Sequence, residues 1–314
     1  MLDLEHSFRW SSKHSSECLS FSAVYRLARS DDCRVMIFHM QSSLPYLLTA
    51  LVGRKLSRSK VTFVYDIHDL NEFSMGKSKY EMLRFGCMFA LEWVVFKCGV
   101  RLLTVSRGLA NVYRLRYGRR PLVVRNIPEK VQLEGYSDLR RRVDGFVYFG
   151  LVDRIRLPEE FLARLESERV TLDIYGTVRE RSASYRRKLE ELENRGVLRF
   201  LGEYDPGDLR FLAKYRASVL PFEVCRINLR YSLPNKLFQA LGYRVPCLIS
   251  EGLIEAKRLF RQWPHAVVPL KSVVDLGAFL RAGPGPSVTE WAQIEAFLDR
   301  LRAEDGKCYT SALG

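Results

Sequence analysis

The sequence lacks any uninterrupted apolar run long enough to cross a bilayer. Its longest apolar stretch, 85–105, is broken by Glu92, Lys97 and Arg101, whereas a membrane-spanning helix needs about 20 consecutive apolar residues. No apolar core segment stands near the N-terminus, which carries Asp3 and Glu5, so no signal peptide is expected. None of the seven cysteines, at 18, 33, 87, 98, 225, 247 and 308, forms a Cys-x-x-Cys pair. That spacing argues against a disulfide framework or a thiolate zinc site, and favours a reduced, cytoplasmic protein. A Walker loop and a Ser-nucleophile motif are both missing. No Asp-x-Asp follows a predicted strand to hold a divalent ion, and Asp31-Asp32 precedes its strand, so no metal and no cofactor are expected. There is no helix-turn-helix, RNA-binding aromatic signature or zinc motif, so nucleic acid is not an expected partner. Internal repeats and low-complexity tracts are also absent.

What is present is a globular composition, 47% apolar and 27% charged in 314 residues, enough for one large or two ordinary domains. The net charge of +14 is uneven. Residues 1–130 hold 21 Lys and Arg against 11 Asp and Glu, a net of +10, and the remainder nets only +4. A basic first half suits nucleic acid, an anionic membrane surface or a phosphorylated substrate, and charge alone does not choose among them.

Apolar runs alternate with helical periodicity along almost the whole chain. Residues 1–17 are polar and serine-rich, and are expected to be loosely ordered. Strands are predicted at 34–39, 61–65, 100–105 and 122–125. Helices are predicted at 18–28, 44–56, 77–98 and 107–117, the last capped by Ser106. Asp66-Ile67-His68-Asp69 follows the second strand directly, placing its polar groups at a strand's carboxyl end. Asn126 is expected to turn the backbone. The charged segment 129–144 reads as a linker.

The second half alternates more regularly. Strands are predicted at 145–149, 170–175, 197–201, 217–220, 245–249 and 266–270, with helices at 158–168, 181–194, 206–215 and 234–242. Gly150 and Gly176 end strands where a ligand must approach backbone closely. Ser287 and Glu290 form a capping box for a final helix at 287–303. This order predicts parallel sheets.

The most informative stretch is Tyr231–Ser250, YSLPNKLFQALGYRVPCLIS. Ser232 and Pro234 read as a helix start, Leu237, Phe238 and Leu241 as its apolar face, Gly242 as its left-handed stop, and 245–249 as a buried strand. Asn235, Lys236 and Gln239 then lie near a helix N-terminus, where backbone N–H groups and a lysine favour an anion such as phosphate.

This stretch resembles the donor-site segment of glycosyltransferase family 4, roughly Pro-Asn-Lys-Leu-Phe-Glu-(Tyr/Ala)-Leu-x-x-Gly-x-Pro-Val. VTFVYDIHDL, RLLTVSRGLANVYRLRYG and PLVVRNIP resemble acceptor-domain motifs that occur there in the same order. The resemblance covers about residues 34–303. It implies a GT-B-like α/β fold, two Rossmann-type domains with a cleft between them, the N-terminal one shortened at its start. The domains would be 1–128 on the acceptor side, a linker at 129–144, and a nucleotide-sugar-binding domain at 145–286. A C-terminal helix within 287–314 would return towards the first domain.

The implied activity is a retaining, metal-independent transfer of a sugar from a nucleotide-sugar donor to a glycan or lipid-linked acceptor, in cell-envelope polysaccharide synthesis. The enzyme would sit peripherally on the inner face of the cytoplasmic membrane. Donor contacts would come from Asn235, Lys236, Gln239, Glu223, Gly150, Arg154 and Gly176, and acceptor-side chemistry from His68, Asp66 and Asp69. Two departures touch the donor site. Gln239 stands where the family has a ribose-binding Glu. Leu151 stands where it has a pyrophosphate-clamping Arg, for which Arg154 or Arg156 would substitute. The opening strand and Gly-rich loop of the family are not recognisable. The alternative reading is a non-catalytic GT-B subunit of a glycosyltransferase complex.

Overall fold

The computed structural model describes residues 21–29, 35–39, 41–57, 60–70, 72, 79–130, 143–283 and 285–313. The stretch 1–17 and most of the linker expected at 129–144 therefore lie outside the described residues. The chain divides into two compact units, 1–103 with 312–314, and 104–311.

In the first unit, β1 (Val35–His39), β2 (Thr62–Ile67) and β3 (Arg101–Thr104) lie side by side in that order, the unit boundary falling inside β3. β1 and β2 are parallel and in register, with His39 opposite Asp66. Helices α1 (Phe21–Arg29), α2 (Leu44–Ser57) and α3 (Lys79–Lys97) belong to this unit. Among the described residues, those of α3 that are buried fall in its second half. Val95 and Phe96 are fully buried, and buried Glu92 accepts a hydrogen bond from the Tyr65 hydroxyl at 3.3 Å. The glutamate that interrupts the apolar pattern of α3 thus ties that helix to β2. Its first half leaves Tyr80, Met82, Leu83 and Phe89 exposed, followed by Trp93 and Val94. No described helix is long and apolar enough to cross a membrane.

The second unit begins with α4 (Arg107–Tyr117). Its cap is the expected one: Ser106 Oγ accepts from the Leu109 N–H, and Gly118 closes the helix at φ +77°. β4 (Leu122–Val123) follows. A six-stranded parallel sheet then forms from β5 (Val143–Phe149), β6 (Leu172–Tyr175), β7 (Leu198–Phe200), β8 (Tyr215–Leu220), β9 (Cys247–Ile249) and β10 (Val267–Pro269). Its order is β10-β9-β8-β5-β6-β7. Helices α5 (Glu159–Ser167) and α6 (Ala183–Asn194) cross over from β5 and β6. α7 (Ile227–Tyr231) and α8 (Asn235–Gly242) connect β8 to β9, and α9 (Ile254–Leu259) leads to β10. α10 (Leu276–Arg281) and α11 (Val288–Leu313) complete the chain.

The winding direction reverses between β5 and β8, which makes the carboxyl ends of those two strands the topological switch point where open α/β sheets bind ligands. Packed side chains of α5, α6 and α8, including Phe161, Leu162, Tyr185, Leu189, Leu237 and Phe238, bury the sheet faces.

Several local expectations are corrected. The segment 206–215 is not an α-helix but a turn leading to a 3₁₀ helix at Arg210–Lys214. Asp205 accepts from the Gly207 N–H and Asp208 from the Arg210 N–H, so side chains take donors that a helix start would otherwise organise. Pro234, not Ser232, is the N-cap of α8, while Ser232 Oγ donates back to the Leu229 carbonyl and closes α7. Gly242 stays helical, and the left-handed residue is Arg244 at φ +54°, whose guanidinium reaches Glu295 at 2.6 Å. The capping box is present, with Ser287 Oγ accepting from the Glu290 N–H at 3.2 Å and Glu290 accepting from the Ser287 N–H at 2.8 Å. Its helix runs ten residues beyond the expected end at 303, to Leu313. Asp305 on that helix accepts from the Arg125 guanidinium at 2.6 Å and from its backbone N–H at 3.0 Å. Ala312 groups with the first unit and accepts from Arg101 at 2.8 Å.

Candidate functional site

The switch point of the second unit brings together most of the residues expected to contact a donor. Phe149 ends β5, and Gly150 turns away from it at φ +115°, in the left-handed half of backbone space where a side chain is strained. The space that a Cβ on Gly150 would occupy is filled by Lys236, whose Cε would lie 2.3 Å from it. Gly176, after β6, has φ +141° and lies so close to the first loop that its Cβ would meet the Gly150 carbonyl oxygen at 2.0 Å. The two loops continue the ladder beyond the strands: Gly150 N–H donates to Tyr175 O at 2.7 Å and Val152 N–H to Thr177 O at 2.9 Å. These glycines thus allow a close approach of backbone to backbone and to a lysine.

Lys236 sits in the first turn of α8, on the partial positive charge of the helix N-terminus. Asn235 beside it is exposed, and Gln239 one turn on is half-buried. Burial holds the Lys236 ammonium down, to about 8, and the neighbouring Arg156 charge acts in the same direction. A largely buried ammonium at a helix N-terminus, with the Arg156 charge nearby and Asp153 partly offsetting it, is a site that favours an anion.

The arginines divide. Arg156 lies in the electrostatic neighbourhood of Lys236 and is ion-paired with Asp153. Arg154 is turned to a carboxylate cluster: its Nε donates to Glu159 at 3.1 Å and its backbone N–H to Glu180 at 3.1 Å. Glu223 is exposed in the segment after β8, where its N–H donates to the Ile155 carbonyl at 2.7 Å and joins that segment to the loop after β5. Arg154 and Glu223 line a cavity of about 850 Å³ with Ser250, Glu251, Gly252 and Lys271. The structure therefore brings Gly150, Gly176 and Lys236 together with Arg156, and sets Arg154 and Glu223 in the adjoining cavity.

α7, which leads into α8, is held by close packing on α4. A Cβ on Gly108 would lie 2.3 Å from the Tyr231 ring. Buried Glu255 accepts from the Arg107 N–H at 3.0 Å and supplies a negative charge to the start of α4.

In the first unit, Asp66 and His68 share a face at the carboxyl end of β2, because alternate residues of a strand point the same way. One Asp66 oxygen, Oδ2, stands 2.9 Å from His68 Nε2 and 2.9 Å from His39 Nδ1. Burial opposes the Asp66 charge, but hydrogen bonds from His39 and His68, with their charges, hold its carboxyl well below the usual range. The bond to Asp66 raises His68, against partial burial, and the charges of Asp66 and exposed Asp69 add to the rise. Asp69 thus acts on His68 only through its field. His39 was not singled out from sequence. Its signal was its place as the last residue of β1, opposite Asp66 near the end of β2.

The same unit holds a second cavity, of about 840 Å³, at the amino ends of β2 and β3. Its lining includes Leu48, Leu51, Val52 and Val94 together with Arg54, Lys55, Lys60 and Arg101, and no acidic residue among the described residues.

No protein-family model matches the sequence, and no curated protein matches it. Solved structures do. The chain is similar to TarM, with a TM-score of 0.62 and 10% identity over 94% of this chain and 58% of that one. It is similar to the lipopolysaccharide outer core galactosyltransferase WaaB in its apo form, with a TM-score of 0.59 and 14% identity over 93% of this chain and 78% of that one. It is also similar to AviGT4, a glycosyltransferase involved in avilamycin A biosynthesis, with a TM-score of 0.55 and 14% identity over 94% and 77%. The chain thus spans little more than half the length of the first of these and about three quarters of the others. At these identities the likeness is one of fold, and the chain is built on the GT-B-like α/β plan of these structures.

Proposed function

We propose that this chain is a glycosyltransferase that takes a sugar from a nucleotide-sugar donor and passes it, with retention, to a glycan or lipid-linked acceptor of the cell envelope. The observation that carries the reading is the placement of Lys236, on a helix N-terminus at the sheet's switch point, against Gly150. In the proposed reaction the bond from the anomeric carbon to the diphosphate breaks and its electron pair goes to the departing phosphate oxygen, while the acceptor hydroxyl oxygen bonds the anomeric carbon on the same face and its proton passes to that phosphate oxygen. Lys236, Arg156 and the first turn of α8 neutralise that charge as it develops. The glycines admit the diphosphate to the backbone, and Gln239 holds the ribose. The positive charge supplied by side chains makes a metal at the diphosphate unnecessary in this reading, so chelation with EDTA is expected to leave nucleotide binding unchanged.

Residues 1–128 form the acceptor side in this proposal and residues 145–286 the donor side. A TarM mutant is known in complex with Fondaparinux, alpha-GlcNAc-glycerol and UDP, which supports a nucleotide donor and a glycan-type acceptor for this chain. A thermal-shift screen of UDP-, GDP- and CMP-sugars tests the reading, since binding to the native state raises stability by mass action. A rise with one nucleobase class is expected. No rise with any of them would favour the non-catalytic subunit.

His68, oriented by Asp66, is proposed to position the acceptor or the transferred sugar. His68→Ala is expected to lower kcat at least about tenfold while leaving the donor Kd within about twofold, as removal of a positioning group should. Unchanged turnover in a folded His68→Ala protein would make the Asp66–Asp69 segment structural.

The acceptor side is also proposed to meet the membrane, on the inner face of the cytoplasmic membrane. The exposed apolar residues of α3, and Arg54, Lys55, Lys60 and Arg101 in the lining of the 840 Å³ cavity, support this. Each Lys or Arg near an anionic surface contributes on the order of 1 kcal/mol, screened by salt. Flotation with vesicles should therefore need anionic lipid and fall at high salt. Equal flotation with neutral vesicles would remove the electrostatic part of this proposal.

A further inference from the structure

We infer that His39, Asp66 and His68 form a three-ligand site for a borderline divalent cation of the Zn²⁺ class at the carboxyl edge of the first unit's sheet. The backbone itself brings these ligands together. His39 and Asp66 are paired positions on adjacent parallel strands, and His68 lies two residues beyond Asp66 on the same face. One nitrogen from each imidazole and one carboxylate oxygen fall within 4.8 Å of one another. Both nitrogens already converge on a single oxygen, at 2.9 Å each.

Around a tetrahedral ion with bonds of about 2.0–2.2 Å, neighbouring ligand atoms stand roughly 3.3 Å apart. The two N···O separations need to open by only a few tenths of an ångström. The adjustment falls mainly to His39, whose side chain is 58% exposed, while Asp66, at 14%, is held in place. Two imidazoles and one carboxylate suit Zn²⁺, Co²⁺ or Ni²⁺ rather than Mg²⁺ or Ca²⁺, which take oxygen ligands. Three protein ligands leave a tetrahedral ion one open position, filled by water or a hydroxyl oxygen.

The inference uses the first unit's geometry alone. Binding is read without donor or acceptor, so its failure is distinct from failure of the proposed transfer. The test is calorimetric titration of the chelator-treated full chain with ZnCl₂, and absorption spectra with Co²⁺. We expect one ion per chain and Co²⁺ bands of tetrahedral type without thiolate charge-transfer absorption. His39→Ala and Asp66→Asn should each weaken binding at least about tenfold. His265→Ala, on an exposed residue of the second unit, should leave it unchanged. Should His39→Ala fail to fold, His39→Gln keeps a hydrogen-bonding side chain and removes the imidazole, and it should weaken binding similarly. The inference is overturned if no ion binds, if both His39 variants bind Zn²⁺ as the parent does, or if the Co²⁺ spectrum shows cysteine ligation.

Discussion

Gly176→Ala is expected to destabilise the second unit by more than about 4 kcal/mol, at the extreme end of single substitutions. Two costs combine. At φ +141° a side chain is strained by about 1–3 kcal/mol before any contact is counted. The new Cβ would also lie 2.0 Å from the Gly150 carbonyl oxygen and 2.7 Å from its carbonyl carbon, both backbone atoms that cannot rotate away. The loops after β5 and β6 must part, which breaks or bends the Gly150–Tyr175 and Gly176–Gly202 backbone bonds, both 2.7 Å long. Each such bond contributes about 1 kcal/mol. Gly196 is the internal comparison: it has φ +72°, but a Cβ there meets nothing within 4 Å. Gly196→Ala should cost only about 1–2 kcal/mol, the price of left-handed backbone alone. Urea denaturation of the two variants reads the difference. Equal midpoints would mean that the two glycine loops do not approach as described.

Lys236 should show opposite signs for stability and for binding. Burial lowers its ammonium to about 8 from the ordinary 10.5, so the folded protein disfavours the charge that the unfolded chain carries freely. A lysine depressed in this way makes stability rise as pH climbs between about 8 and about 10.5, because the unfolded state then binds more protons. At pH 7 this depression, mainly from burial, costs on the order of 3–4 kcal/mol, taking one pKa unit as about 1.4 kcal/mol. Lys236→Met, which keeps the aliphatic bulk, should therefore raise the stability of the ligand-free protein. The same substitution should weaken nucleotide diphosphate binding about 10- to 100-fold, the value of a charge-assisted bond to phosphate. Gln239→Ala should weaken it less, since an amide offers the ribose one acceptor and one donor group, and Gln239→Glu should match or tighten the parent. Lys236→Met that loses stability and keeps affinity would remove α8 from the phosphate site.

Much of this was legible because the second unit repeats a simple pattern. Short apolar runs bounded by Gly150 and Gly176 gave the strands, and the Asn235–Gln239 spacing gave the helix over the switch point. Turn chemistry was harder to read. Asp205-Pro206 looks like a helix start, but the side chains of Asp205 and Asp208 instead hold a turn and a 3₁₀ helix. Arg244 in left-handed backbone has no local signal, since the neighbouring Gly242 is the residue that propensity selects. Nor could the sequence distinguish Arg154 from Arg156: two residues apart in a loop, they part only because Glu159 and Glu180 take the first and Asp153 the second. His39 was invisible for a different reason. Its partner lies 27 residues away, and only the strand register places it on Asp66.

The central claim is that the pocket of Gly150 and Lys236 binds a nucleotide diphosphate through a lysine that can lose its charge. Calorimetric titration of the parent protein with the nucleotide that the sugar screen selects, at pH 7 and again at pH 9.5, tests this most directly. The account predicts one saturable site at pH 7 and clearly weaker binding at pH 9.5, because Lys236 must take up a proton to bind there. Binding of equal strength at both values, or no binding at either, would contradict it.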